Sequence, residues 1–257
     1  MSSSNFVWYE LMTTDDEAAA TFYKAVIGWN AADSGLADRR YTIFSAGKVG
    51  VGGAIALPAE AVRSGAKPMW EGYIGVDDVD GYVARVKRAG GTVHRAAEDI
   101  PGVGRFAMAA DPQGAPFILF TPSPGAGQPP ERPAPGTPGL TGWHELHAAD
   151  WKSAFAFYSD LFGWQEADAV DMGPMGVYQL FSAGGEAIGG MMTKMDATPA
   201  PMWLYYFNVE AIAAAGARVT DNGGRVVNGP HEVPGGSWVV QCLDPQGAMF
   251  ALVSTTR

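Results

Sequence analysis

Apolar residues recur along this chain with two periods, and the switches between them lay out strands and helices. Phe6–Met12 is apolar and aromatic between polar flanks, which reads as a strand. Thr14-Asp15-Asp16-Glu17 has the spacing of a capping box. Ala19, Phe22, Tyr23 and Val26 then fall on one helical face, and Gly28 ends the helix. Tyr41–Phe44 and Val49–Ile55 read as short strands joined at Gly47, and Met69–Val76 as another. Asp78 caps a second helix running towards Gly90-Gly91. Arg105–Ala109 and Pro116–Phe120 form a hairpin around Asp111-Pro112-Gln113-Gly114, whose Asp, Pro and Gly occupy type I turn positions. The order is roughly βα-ββ-βα-ββ, an α+β class with largely antiparallel pairing.

The whole pattern then returns at an offset of about 135 residues. Trp8-Tyr9-Glu10-Leu11 becomes Trp143-His144-Glu145-Leu146, and Phe22-Tyr23 with Gly28-Trp29 becomes Phe157-Tyr158 with Gly163-Trp164. Tyr41 to Gly53 returns as Tyr178 to Gly190, Pro68-Met69-Trp70 as Pro201-Met202-Trp203, and Asp111-Pro112-Gln113-Gly114 as Asp244-Pro245-Gln246-Gly247. In the second copy Asp150 caps the first helix, and Ala154, Phe157, Tyr158 and Leu161 form its apolar stripe. Thr121–Gly139 is dense in proline and glycine without apolar periodicity, as an extended linker would be. The expected division is a first module over 1–121, a linker over 122–139 and a second module over 140–257.

Phe-Tyr near the end of the first helix, a Gly-aromatic step after it and an Asp-Pro-x-Gly turn before the last strand, all duplicated, resemble the vicinal oxygen chelate superfamily. Glyoxalase I, the bleomycin- and fosfomycin-resistance proteins and the extradiol dioxygenases belong to that group. The resemblance covers both copies. With its Trp-x-Glu-Leu openings the chain is most similar to tandem actinobacterial proteins labelled glyoxalase-like or hydroxylase, some tied to aromatic polyketide pathways. It implies βαβββ units paired into a cupped sheet, helices outside and a ligand cavity within. It also implies where metal ligands would stand: the opening His at Trp8 and Trp143, the central His at Glu71 and Leu204, the terminal Glu at Ile118 and Ala251. Of these six only Glu71 could bind a metal, while a mononuclear site needs about three converging ligands. No metal and no other cofactor is therefore expected.

Candidate chemistry gathers on the opening strands. Alternation puts Val7, Tyr9 and Leu11 on the face a helix would cover, and Trp8, Glu10 and Met12 on the other, with Trp143, Glu145 and His147 as counterparts. His144 and His147, three apart on a strand, point to opposite faces and cannot share one ion; His144 reads as a packing or surface residue. Glu10 and Glu145 have two readings, a general base or hydrogen-bond acceptor for a ligand hydroxyl, or a structural pair of the duplicated sheet; their presence in both copies favours the second. Trp8, Trp143, Tyr73 and Tyr206, with Glu71, Asn208 and Gln241, would make a wall suited to a planar, mostly apolar ligand. Trp70 and Trp203 read as core filling. His94 and His231 read as solvated loop residues, and Cys242 as a buried, inert thiol.

Composition narrows the partners. A net charge of -10 repels phosphate backbones and anionic membranes, so neither nucleic acid nor membrane is expected. The single cysteine excludes an internal disulfide framework, and residues 1–5 lack a signal-peptide pattern, so a cytoplasmic setting is expected, as monomer or homodimer. Three functional readings stay open. The leading one is a metal-independent protein that binds a small aromatic or hydrophobic metabolite, to sequester it or to act on it, with Glu145, His147 and Glu10 as candidate catalytic groups. The second is a metal-dependent lyase or dioxygenase with a displaced ligand set such as Glu10, Glu71 and His147. The third is a structural or regulatory protein without ligand.

Overall fold

The computed structural model describes residues 4–36, 39–124 and 133–257; the middle of the proline-rich segment lies outside them. The first repeat runs β1 (Phe6–Thr13), α1 (Asp16–Ile27), β2 (Asn30–Asp33), β3 (Thr42–Ala46), β4 (Val49–Ala56) and a short α2 (Ala59–Arg63). It continues β5 (Met69–Gly75), α3 (Val79–Arg88), β6 (Thr92–Ile100), β7 (Gly104–Ala110) and β8 (Pro116–Pro122). The second repeat runs β9 (Thr141–Ala148), α4 (Trp151–Phe162), β10 (Gln165–Asp171), β11 (Val177–Ser182) and β12 (Ala187–Thr193). It ends β13 (Met202–Asn208), α5 (Ile212–Asp221), β14 (Arg225–Glu232), β15 (Trp238–Leu243) and β16 (Met249–Ser254). Each repeat is thus two βαβββ units. Strands β2, β6, β10 and β14 escape the hydrophobic pattern because they are edge strands with mostly exposed residues. His94 and His231 sit on β6 and β14, exposed, on strands rather than in the loops expected.

Each repeat forms one mixed eight-stranded sheet, in the orders β2-β3-β4-β1-β5-β8-β7-β6 and β10-β11-β12-β9-β13-β16-β15-β14. Hairpins are antiparallel, whereas β1 pairs β4, β5 pairs β8, β9 pairs β12 and β13 pairs β16 in parallel. Helix ends follow the sequence with one correction. Asp15, not Thr14, caps α1, because its extended backbone lets the carboxylate accept from the Ala18 amide at 2.9 Å. Glu17 then falls one position short of the place a capping box needs. Asp150 caps α4 as expected, and Gly28 and Gly163 close α1 and α4 in the left-handed conformation. Asp78 is the N-cap residue of α3 by conformation, but its side chain makes no capping hydrogen bond.

By internal contacts the chain falls into two units that cut across the repeats. One takes Met1–Trp8, Glu71–Pro129 and His144–Trp203; the other takes Tyr9–Trp70, Pro130–Trp143 and Leu204–Arg257. Each unit therefore joins half of one repeat to the opposite half of the other. In the second unit Phe22 and Tyr23 of α1 pack on Phe250 of β16, Trp29 stacks on Phe44, and Trp70 meets Phe207 edge-on. In the first unit Phe157 and Tyr158 of α4 pack on Phe117 of β8, and Trp164 stacks on Phe181 beside Trp203. The tryptophan of each Gly-Trp step is fixed by one indole hydrogen bond, Trp29 to the Gly139 carbonyl and Trp164 to the Ser4 carbonyl, both 2.7 Å. A fully buried tryptophan requires such a partner.

Candidate active site

The first opening strand follows the expected alternation with one exception, whereas on β9 every residue from His144 to Ala148 is buried. Tyr9 and Leu11 are buried, and Trp8, Glu10 and Met12 are half-buried on the other face. Val7 departs from the expected covered face and is 42% exposed, while Phe6 is buried, stacked on the His144 ring at 4.3 Å and edge-on to Trp203. His144 is accordingly a packing residue, with Nδ1 2.6 Å from the Ile188 carbonyl oxygen.

On the other face of the first repeat's sheet, strand register aligns Tyr73, Ile118 and Met108 in one row across β5, β8 and β7. Tyr73, Phe106 and Ile118 form a buried apolar cluster, and Trp8, Ile100, Met108 and Phe120 pack against it. Glu71, buried, stands on β5 two residues before Tyr73. In the second repeat the equivalent row is Tyr206, Ala251 and Gln241. Here the Gln241 amide donates to the Tyr206 hydroxyl at 3.0 Å and its carbonyl accepts from Asn228 at 3.3 Å, with His231 Nε2 2.8 Å from Asn228 Oδ1. Shrinking Ile118 to Ala251 and exchanging Met108 for Gln241 turns an apolar row into a polar one. Asn208 is committed locally: its amide donates to the Leu140 carbonyl at 3.0 Å, and it crowds Gly142, where a Cβ would stand 2.4 Å from its Oδ1. Trp143 is half-buried on β9.

A second constellation centres on Glu145. The Tyr178 hydroxyl donates to Glu145 Oε2 at 3.0 Å, and His147 Nε2 lies 2.7 Å from Glu145 Oε1. Both the glutamate and the histidine side chain are only 11% exposed. The His147 contact is short, but its N–H is misaligned for a linear hydrogen bond, and both ring nitrogens are buried. Tyr178 reaches Glu145 because its ring lies over Gly190, which is paired with Glu145 in the sheet; a Cβ on Gly190 would be 2.2 Å from the ring. The first repeat has the same construction. Tyr41 lies over Gly53, the register partner of Glu10, with 2.3 Å to a Cβ placed there. Sequence reasoning missed these tyrosines, although the duplicated stretches Tyr41 to Gly53 and Tyr178 to Gly190 begin and end on the two partners. What differs is the third member, Met12 in the first repeat and His147 in the second.

The residues at the metal-ligand positions implied by the resemblance do not fit a metal ion. In the first repeat the outer two are an indole and an isoleucine side chain packed in one apolar cluster, so a single carboxylate, Glu71, is left. The second repeat offers Trp143, Leu204 and Ala251, none of them a ligand. Among the described residues no group of three or more His, Cys, Asp and Glu has metal-binding proximity, so the displaced set Glu10, Glu71 and His147 does not assemble. A surface cavity of about 500 Å³ lies elsewhere, lined by Trp29, Gly139, Leu140, Glu210 and Arg218 among others, and none of the candidate catalytic or ligand-binding residues borders it.

These features define a class. The family model of the glyoxalase/bleomycin resistance protein/dioxygenase superfamily matches residues 5–119 and 142–252, and the chain belongs to that superfamily. Among its relatives, CFP32 of Mycobacterium tuberculosis, which carries a provisional glyoxylase name, is 30% identical over 96% of this chain and 93% of its own. The anthracycline biosynthesis protein DnrV of Streptomyces peucetius is 32% identical over 96% of this chain and 91% of its own. In structure the chain is similar to the Mn(II)-bound glyoxalase from Novosphingobium aromaticivorans, with a TM-score of 0.66 and 16% identity over 100% of this chain and 83% of that one. That likeness concerns the fold.

Proposed function

We propose that this chain is a metal-independent small-molecule protein of its superfamily that takes a planar, largely apolar aromatic metabolite, either to sequester it or to act on it in secondary metabolism. The observation that carries the reading is the Glu145–His147 pair. A carboxylate and an imidazole 2.7 Å apart, both nearly buried, stand where the first repeat has Glu10 and Met12. A scaffold device would be expected in both copies, as the glutamate is; an imidazole added beside it in one copy suits ligand recognition or proton transfer. Replacement of the family's ligand positions by Trp8, Ile118, Trp143, Leu204 and Ala251 supports work without a metal. The relative DnrV, named for anthracycline biosynthesis, supports an aromatic ligand, since anthracyclines are built on planar fused rings.

In this reading Glu145 and His147 carry any proton transfer, Glu10 is the structural counterpart in the first repeat, and Trp8, Trp143, Tyr73 and Tyr206 offer ring faces with Glu71, Asn208 and Gln241 as polar neighbours. No helix among the described residues is long and apolar enough to cross a membrane. With the net charge of -10, that fits a cytoplasmic monomer or homodimer acting without nucleic acid or membrane. Native mass spectrometry with elemental analysis tests the proposal. An aromatic adduct without stoichiometric metal is expected. A stoichiometric transition metal whose removal abolishes ligand binding would overturn it.

A further inference from the structure

We propose that Tyr178 and Glu145 fix His147 as a hydrogen-bond acceptor, so that the ligand meeting it presents a hydroxyl donor, a phenol or an enol, at that point. This rests on the functional reading above and adds the chemical class of the ligand group. Three observations in one unit of the chain carry it.

First, the tyrosine is held in place. Its ring occupies the space a Cβ at Gly190 would take, and its hydroxyl proton is spent on Glu145 Oε2 at 3.0 Å. Second, Glu145 Oε1 then faces His147 Nε2 at 2.7 Å. The contact lies off the N–H axis, yet a negative carboxylate this close to Nε2 favours the tautomer that places the positive N–H edge there, so in the neutral ring Nε2 carries the proton and Nδ1 is the bare acceptor. Third, Nδ1 is buried and has no hydrogen-bond partner among the described residues, in a histidine only 9% exposed. An acceptor left so has given up its hydrogen bond to water, and a donor from a ligand would restore one. The first repeat, with Met12 in this place, has the tyrosine and the glutamate but no acceptor to present.

The test compares 1-naphthol with 1-methoxynaphthalene, the same ring system with and without a donor, by calorimetric titration of the full chain. The wild type should favour the naphthol by about tenfold or more. In E145Q, Tyr178 keeps its bond by donating to the amide carbonyl, so the amide nitrogen turns to His147 and donates to Nε2. The ring proton moves to Nδ1, and the preference should fall to within about twofold. H147M should bind both probes alike. Nitrogen-15 NMR of the wild type reads the tautomer without any variant, and Nε2–H is expected. Equal binding of the two probes by the wild type, or a neutral ring protonated at Nδ1, overturns the inference while the functional reading stands. Failure of both probes to bind overturns both.

Discussion

The Tyr23 hydroxyl, on the first helix of the first repeat, donates to Asp244 Oδ2 in the Asp-Pro-Gln-Gly turn of the second repeat at 3.1 Å, across 221 positions of sequence. The reciprocal bond, Tyr158 to Asp111 Oδ2, measures 3.3 Å. Each tyrosine oxygen also accepts from an indole, Trp70 at 2.8 Å and Trp203 at 3.0 Å. Each aspartate spends Oδ1 on two backbone amides of its own turn, Gln113 and Ala115 or Gln246 and Ala248. Three duplicated motifs, Phe-Tyr, Pro-Met-Trp and Asp-Pro-Gln-Gly, therefore meet in one buried network, and each network joins the two repeats.

Removing the tyrosine hydroxyl should cost more than one ordinary hydrogen bond. In Tyr23→Phe the Trp70 indole and one Asp244 oxygen both lose their partner in the core. A loss of about 1–3 kcal/mol is expected in urea unfolding, and a similar loss for Tyr158→Phe. The two should add, because they lie in separate networks. A change in unfolding midpoint within error for either variant would show that its network contributes nothing.

The same networks predict an acid limb in stability. Burial, only partly countered by hydrogen bonds from backbone amides and the tyrosine, raises the Asp111 and Asp244 carboxyls above the ordinary value of 3.8. In the window between that value and the raised one, the folded chain holds protons that the unfolded chain has released. The contribution of these groups is therefore greatest below the window, declines as pH rises through it and is constant above. Asn at either position should flatten this decline in pH-resolved urea titrations. An unchanged slope in Asp244→Asn would refute the assignment.

Glycines under the tyrosines should discriminate between two kinds of crowding. Gly190→Ala pushes against the Tyr178 ring, which can swing away, so the Glu145 bond is lost at a cost of about 1–3 kcal/mol. Adding Tyr178→Phe to that variant should then change little more. Gly189→Ala instead sets a Cβ 2.3 Å from the His144 carbonyl oxygen, where backbone must move, and should destabilise more. Equal losses for the two alanine variants would contradict this.

Cys242 should behave as an inert thiol. It is fully buried on β15, and desolvation pushes its pKa up to about 12. Reaction with an aromatic disulfide reagent is expected to be slow in the folded chain and fast in denaturant. Prompt labelling of the native protein would show that the strand opens.

Much of the fold was legible because the hydrophobic periods are strong wherever one face is buried. α1 and α4 were read with their glycine ends, the central strands with their alternation, and the type I turn from its Asp, Pro and Gly. The edge strands β2, β6, β10 and β14 were not, since a mostly exposed strand carries no apolar alternation to detect. The cap of α1 was misplaced by one residue because Thr14, Asp15 and Asp16 can all cap, and backbone conformation chooses among them. Val7 left the expected buried face, while Phe6 came to rest on His144 and Trp203, partners that belong to the second repeat.

For the candidate site, residue types along one strand were enough to select Glu145 and His147 and to argue against a chelate between His144 and His147. The sequence could not disclose that Tyr178 completes the group, because the contact depends on a side chain lying over a glycine of the neighbouring strand. By itself the sequence determined the duplication, the class of elements and, at the metal positions the resemblance implies, a single residue able to ligate, Glu71, all of which are properties of local pattern and residue chemistry. Only the tertiary structure decided that each compact unit is built from halves of both repeats, that the duplicated tyrosines and aspartates bond across those halves, and that Glu145 divides its two oxygens between a tyrosine and a histidine. Those are relations between distant segments, and pairing across a chain is set by packing, which periodicity along the chain does not encode.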